Sequence, residues 1–502
     1  MNTSQRSLFS SVVSGMTWIG FGIVAQVTMR IGVLAIMARL VTPREFGLVA
    51  IAFIFTSFAE RLGQVGVGAA FVQRAAIDKD DLRTASILSI GSGFLIAGAL
   101  CATAPLAAYF FGEQDLALII GILAVGFIFD SFGVVSDGLL QRELKFREIV
   151  KVETSSFIFG LGGVGILLGV LGWGVWALVG ANLAMRASKT ALFLWVMPIP
   201  REGTWSTDRA RALLSTGVGF SAGKVLNFLS LQGDNFVVGR LLGAEALGMY
   251  TRAYQAMTLP AMYVGQAFER VLFPALSQKQ DDTAVLRRGL LSTLEISTLI
   301  ALPMSVGMYF LSPEIVLVLF GAGWQPVVPV LTVLSCGVFF RAAYKCSDVL
   351  IRSKGDVYAY ALRQACYTGV IVGGSLVGAL LNGTQGVAYA VVCGVIVNYV
   401  LMTRLAGQLS HVTLRDLVRC HLPGVWVSLT VGAFLFTIIS FVRSTIPTPF
   451  GVLLISSIGA VGVALTAWVV SVPFVQGSFV NDMIANLLRR RRKVVPVTHA
   501  SL

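Results

Sequence analysis

The chain has 502 residues, 56% of them hydrophobic and 13% charged, with a mean hydropathy of +0.81. Soluble domains carry about 25% charged residues, so the composition is that of an all-α polytopic membrane protein. The net charge of +13 is scattered through short segments between apolar runs, which fits topology and anionic headgroups and argues against nucleic acid as a partner.

Fourteen apolar segments of membrane-spanning length are predicted, at 12–38, 46–71, 84–110, 116–137, 152–170, 174–197, 212–240, 246–272, 290–311, 326–345, 357–380, 386–408, 422–442 and 451–474. The first is longer than a signal-peptide core and is expected to remain as a span. An even number of spans puts both tails on one side. That side, with its alternate connections, carries 26 of the 38 Lys and Arg residues, including the run Arg489–Lys493. The opposite side carries Arg39, Arg44, Arg240 and Arg443. Such a bias places both termini in the cytoplasm, and the basic run is read as an orientation signal or a contact with anionic lipid.

The chain repeats itself. Arg39–Gly47 aligns with Arg240–Gly248 at an offset of 201, Phe111-Gly112 recurs as Phe320-Gly321, and Asp137–Leu140 recurs as Asp348–Ile351. Six spans separate the equivalents, so the copies run in the same sense through the membrane, as in transporters built from two parallel-repeat six-helix lobes around a central cavity. The expected divisions are an N-lobe over 1–200, a cytoplasmic linker over 201–211, a C-lobe over 212–410, two additional spans over 411–474 and a basic cytoplasmic tail over 475–502.

Eight basic residues fall within spans. A charge at the centre of a membrane helix costs about 2.5–3.5 kcal/mol on insertion scales, so each needs a reason. Arg186, Lys189, Arg270 and Arg341 are near enough to a membrane face either to snorkel or to turn inward. Arg30, preceded one turn earlier by Gln26, and Lys224 and Arg252 lie deeper. Arg61 sits beside Glu60 and four residues after Ser57, so a local ion pair or capped helix end competes with a cavity role. Lys224, Asn227, Asp234 and Asn235 share a helical arc of about 100°, and Arg252, Gln255, Tyr263, Gln266 and Arg270 share one of about 80°. Polar residues confined to one face of an apolar helix look at water, a partner or a ligand rather than at lipid.

The predicted substrate-binding set is therefore Arg30, Arg61, Lys224, Arg252 and Arg270 with Gln26, Asn227, Gln255, Tyr263 and Gln266. Its positive charge selects an anion, phosphate or carboxylate. Trp18 and Tyr250 are further candidates, for stacking on sugar rings or for interfacial anchoring. Asp234 is either an ion-coupling site for H+ or Na+ or a counter-charge to an arginine. No cofactor and no metal site is expected. The six cysteines are isolated, and the three histidines have no ligand spacing. Gly160–Gly165 spells GxGxxG inside an apolar span with no preceding strand, so close helix packing is expected there, not a dinucleotide.

Three stretches, Arg39–Gly47, Leu139–Arg147 and Arg252–Gln280, resemble the polysaccharide exporters of the multidrug/oligosaccharidyl-lipid/polysaccharide superfamily, in particular the colanic-acid-type and xanthan-type flippases. The resemblance covers residues 10–475. It implies a bacterial inner-membrane flippase that moves undecaprenyl-diphosphate-linked oligosaccharide to the periplasmic leaflet for exopolysaccharide or lipopolysaccharide synthesis. Membrane lipids and the polysaccharide polymerase and chain-length machinery are its implied partners. In related lipid flippases cavity arginines lie on spans comparable to those of Arg30, Arg61, Arg252 and Arg270. The alternatives are a drug or organic-cation antiporter of the same superfamily, which predicts an acid-rich cavity, and a membrane polysaccharide polymerase, which needs catalytic groups on outward loops. The longest outward loop expected, Ser312–Gln325, contains no histidine.

Overall fold

The computed structural model describes residues 29–63, 77–199, 202–211, 221–277, 280, 282–354 and 357–471. Gln26, Trp18 and the tail run Arg489–Lys493 lie outside the described residues, as do the side chains of Lys224, Asn227, Gln266 and Arg270. Helices occupy residues 29–40 (α1), Pro43–Gly63 (α2), Lys79–Phe111 (α3), Asp115–Arg142 (α4), Phe146–Val170 (α5) and Val175–Val196 (α6). They continue as Ser221–Ser277 (α7), Thr283–Phe310 (α8), Ser312–Leu319 (α9), Val327–Ser335 (α10), Val338–Lys354 (α11), Val357–Leu409 (α12), Leu414–Thr445 (α13) and Pro449–Ser471 (α14).

Within the described residues the predicted spans fall on these helices, that at 326–345 on two of them, α10 and α11. A bilayer crossing takes about 20 residues, so the 57 residues of α7 and the 53 of α12 are too long for one pass. Both break where the sequence places the boundary between two spans: α7 at Gly243 (φ 88°), α12 at Asn382 and Gly383. Helices α10 and α11 meet at a 43° bend and together count as one span. The loop expected over 312–325 is largely helical, as α9 and a 3-10 turn at Ala322–Trp324. Glu314 in α9 is buried and accepts from Arg443 of α13 at 2.7 and 3.0 Å, which anchors the C-terminal helices to the body of their unit.

The chain forms two compact units. The first holds the described residues up to Phe228 together with Leu242–Gly248 and Leu319–Trp324. In it α3 packs on α4, and α4 and α5 pack on α6. The glycine-rich stretch of α5 is π-helical over Ile158–Gly165, and a Cβ on Gly160 would lie 2.6 Å from the Met185 backbone of α6. This is the close packing expected of that stretch, with no nucleotide loop. Arg186 on α6 turns inward, forming an ion pair with Asp130 and lying 5.3 Å from the Phe127 ring centroid.

The internal repeat is visible as geometry in this unit. A Cβ on Gly47 would lie 1.7 Å from the Ala244 carbonyl oxygen, and one on Gly248 would lie 1.9 Å from that of Pro43. At the offset of 201, Pro43 corresponds to Ala244 and Gly47 to Gly248, so the two contacts are images of each other. Gly112 (φ 72°) and Gly321 (φ 92°), also equivalent, both adopt the left-handed conformation that ends a helix. Trp324 donates to the Ala38 carbonyl at 2.8 Å and stacks edge-on against Phe46.

The second unit holds the described residues of Leu229–Leu241 and Met249–Val318 and those from Gln325 onward. Here α8 packs on α11 and α13, α11 on α12, and α14 on α13. Its core is Leu286, Leu290, Leu294, Val349, Leu350 and Met402 with their neighbours.

Candidate functional site

The C-terminal unit carries a polar cluster where apolar packing is the rule. Break α7 at Gly243 and its two arms fold against each other, which brings residue 234 to residue 250. Asp234 is 2% exposed; its Oδ2 accepts from the Tyr250 hydroxyl at 2.7 Å and its Oδ1 from the Asn235 backbone N–H at 2.9 Å. Tyr250 is fully buried. Its ring is therefore closed to a sugar, the first of the two roles open to it, and its hydroxyl is held by the carboxylate.

One turn before Asp234, Ser230 shares a hydroxyl hydrogen bond with Thr368 of α12 and accepts from Gln364 Nε2 at 3.1 Å. The Asn235 amide donates to Gln232 Oε1 at 2.7 Å. Arg341 of α11 places its guanidinium 5.0 Å from the Tyr254 ring centroid, and the Lys345 ammonium lies 5.1 Å from that of Tyr344. A cation over an aromatic face is stabilised by the ring quadrupole, which lets α11 keep two positive charges near the membrane interior. Asp348, 3.1 Å from Arg352 and 3.8 Å from Lys345, supplies the carboxylate.

Arg252 sits on the second arm of α7, half-buried, and its Nη1 donates to Gln255 Oε1 at 2.8 Å. The expected polar face of this arm is therefore preorganised at its first turn: the amide oxygen holds the guanidinium in one orientation. Tyr263, two turns on, is also half-buried. In the N-terminal unit Arg30 is exposed on α1, its guanidinium 5.4 Å from the Phe157 ring centroid, and Arg61 is half-buried in the last turn of α2, where a cation complements the helix dipole. The expected residues thus form two groups, Arg30 and Arg61 in one unit and Asp234, Arg252, Gln255 and Tyr263 in the other. Reasoning from sequence picked out Arg341 without its contact on Tyr254, and it missed Ser230, Gln364 and Thr368 as polar partners between α7 and α12. The signal lay in α12, where Gln364 and Thr368 stand four residues apart on an apolar helix.

Among the described residues no group of His, Cys, Asp and Glu could hold a metal ion. The arrangement offers hydrogen-bond donors, cations and one buried carboxylate, which suits binding and release of a polar, anionic group inside a membrane.

A family model described as "Polysaccharide biosynthesis protein" matches residues 36–329. The chain belongs to this family. A second model, "Lipid II flippase MurJ", matches residues 208–460. Among relatives, the lipopolysaccharide biosynthesis protein WzxC of Escherichia coli (strain K12) is 26% identical over 397 residues, covering 79% of this chain and 80% of that one. The teichuronic acid biosynthesis protein TuaB of Bacillus subtilis (strain 168) is 26% identical, covering 70% and 72%. The succinoglycan biosynthesis transport protein ExoT of Rhizobium meliloti (strain 1021) is 26% identical, covering 69% and 71%. Among solved structures, the lipid II flippase MurJ in an inward closed conformation superposes with a TM-score of 0.72 at 15% identity, covering 90% of this chain and 98% of that one. An inward-facing multidrug transporter of the MATE family reaches 0.62 at 17% identity, covering 76% and 94%. The fold is thus shared with drug transporters, while both family models and the relatives belong to polysaccharide and lipid-linked substrates. This family member is a multi-pass membrane transporter of the flippase type and not an enzyme.

Proposed function

We propose that the protein flips undecaprenyl-diphosphate-linked oligosaccharide from the cytoplasmic to the periplasmic leaflet of the bacterial inner membrane, by alternating access. The observation that carries this reading is the match of one chain to both a polysaccharide biosynthesis family and a lipid II flippase family. The chemistry agrees: a diphosphate needs guanidinium groups, and Arg252, preset by Gln255, is one within a membrane helix. Arg30, Arg61, Lys224 and Arg270 are the further cations of the proposed site, with Gln26, Asn227, Tyr263 and Gln266 as hydrogen-bonding groups for the sugars. Both termini face the cytoplasm, and the polymerase and chain-length machinery take up the delivered units.

Asp234 is the coupling residue in this proposal, binding H+ or Na+ as the cycle turns. Its support is the buried carboxylate bonded to Tyr250 on the opposite arm of α7, where loading the carboxylate bears on the fold of both arms.

The test is flipping of a defined lipid-linked oligosaccharide in liposomes, with and without an imposed ion gradient. A charge-assisted hydrogen bond contributes about 1.5–3 kcal/mol, so the Arg30→Glu, Arg252→Glu double variant should flip more than about tenfold slower while remaining folded in the membrane. Wild-type flipping from that variant would refute the diphosphate site.

A further inference from the structure

The arms of α12 form an antiparallel hairpin whose backbones nearly touch at the closed end. A Cβ on Gly378 would lie 2.3 Å from the Gly386 carbonyl oxygen, and Gly374 and Gly394 approach Ala390 and Ile371 in the same register. Towards the open end the arms flank an open pocket of about 320 Å³, lined by Leu362, Arg363 and Cys366 from one arm and Leu401, Arg404 and Gln408 from the other. Two arginines, Arg363 half-buried and Arg404 exposed, therefore line one pocket. The ion pairs of this unit are made elsewhere, by Arg287, Lys345, Arg352 and Arg443. Among the described residues no carboxylate pairs with Arg363 or Arg404, and Arg363 spends one donor on the Ala359 carbonyl at 2.9 Å. Two like charges facing one cavity repel, and an anion between them relieves that repulsion.

The surroundings identify the anion's source. Leu362 at the cavity rim is 66% exposed, and exposed apolar residues run from it along both arms, through Val377 and Leu380 on the first and Val400 and Tyr389 on the second. In a membrane helix such a stripe faces acyl chains. Arg404 and Gln408 continue the stripe of Tyr389 and Val400 at helical spacing. A free anion has no use for the apolar stripe, whereas a phospholipid matches both parts, phosphate in the cavity and acyl chains below it. Clustered arginines at one end of an apolar surface are how membrane proteins select acidic lipids.

We propose that the open end of the α12 hairpin binds the phosphate of an anionic phospholipid, with Arg363 and Arg404 as its cations and Gln408 as a neutral donor. None of its residues is among those assigned above to the flipped substrate, and the proposal does not depend on that assignment.

The full chain in detergent, titrated with phosphatidylglycerol and separately with phosphatidylcholine, tests this by native mass spectrometry. Phosphatidylglycerol should be retained in preference to phosphatidylcholine. Arg363→Gln with Arg404→Gln should weaken its apparent affinity by about tenfold or more and leave phosphatidylcholine unchanged. Cys366, exposed in the same cavity, gives a reading that needs no variant. Its alkylation, measured by peptide mass spectrometry, should slow with phosphatidylglycerol and not with phosphatidylcholine, while that of Cys101 stays constant. Equal retention by wild type and variant, or equal protection of Cys366 by both lipids, would overturn the proposal. So would protection by inorganic phosphate alone, which would make the ligand a free anion.

Discussion

Asp234 and Tyr250 show how much a single contact can carry in a membrane interior. Both are buried, and the hydroxyl satisfies one oxygen of the carboxylate. Leaving a buried acceptor short of its partner costs about 1–3 kcal/mol. Tyr250→Phe should therefore lower the thermal stability of the detergent-solubilised protein by that order, and Asp234→Asn, which keeps an acceptor oxygen, by less. Equal melting of Tyr250→Phe and wild type would mean that the bond does not hold the two arms of α7. At this scale the sequence revealed which residues are unusual but not whom they meet. Lys224 and Asp234 are ten residues apart on one helix, too far to pair along it, yet the residue that reaches Asp234 stands sixteen further on, across the break at Gly243. Arg341 against Tyr254 is a contact between α11 and α7 with no local pattern to announce it.

Elements were far more legible than contacts, because hydropathy reports helices directly. Their ends ran beyond the apolar runs for a readable reason. Helix α3 starts at Lys79, ahead of the predicted 84, under a capping box made by Asp78 and Asp81, and α13 starts at Leu414 under the box of Thr413 and Asp416. Caps satisfy the exposed N–H groups and let a helix run past the membrane boundary. Asp78 also joins α3 to the segment 202–211, with Arg209 bridging Asp78 and Asp81, and Thr204 donating its N–H to Asp80 at 2.7 Å. The hydrogen bond from Arg209, then that from the Asp81 N–H, holds the Asp78 carboxyl down at about 2. A carboxylate held below its ordinary value takes up a proton less readily when folded. Its contribution is complete above about pH 4 and is lost as the pH falls through about 2. Pepsin cleavage within 202–211 should rise in wild type only near the lower value, whereas Arg209→Ala, with no bridge left to titrate, should be cleaved readily across the acid range. Superposable cleavage profiles would show that the arginine does not hold the segment.

For the whole molecule, the distribution of basic residues sets an orientation that the fold alone leaves undetermined. A reporter active only in the cytoplasm should work when fused after Leu502, and one that needs export should not. The reverse result would invert the expected topology and place the open end of the α12 hairpin on the outer surface. Family membership follows from long stretches of sequence, whereas the likeness in fold extends to transporters of a different cargo. What the protein carries must therefore be sought in its polar side chains rather than in its helical frame.

Gly47 and Gly248 lie at matching places in the two copies of the repeat, each pressed against the other copy's main chain. Such a vertex ties together two halves that are otherwise free to diverge. A methyl group added to either copy intrudes on its twin, so neither position can drift alone. The two copies are thereby kept in step at this vertex.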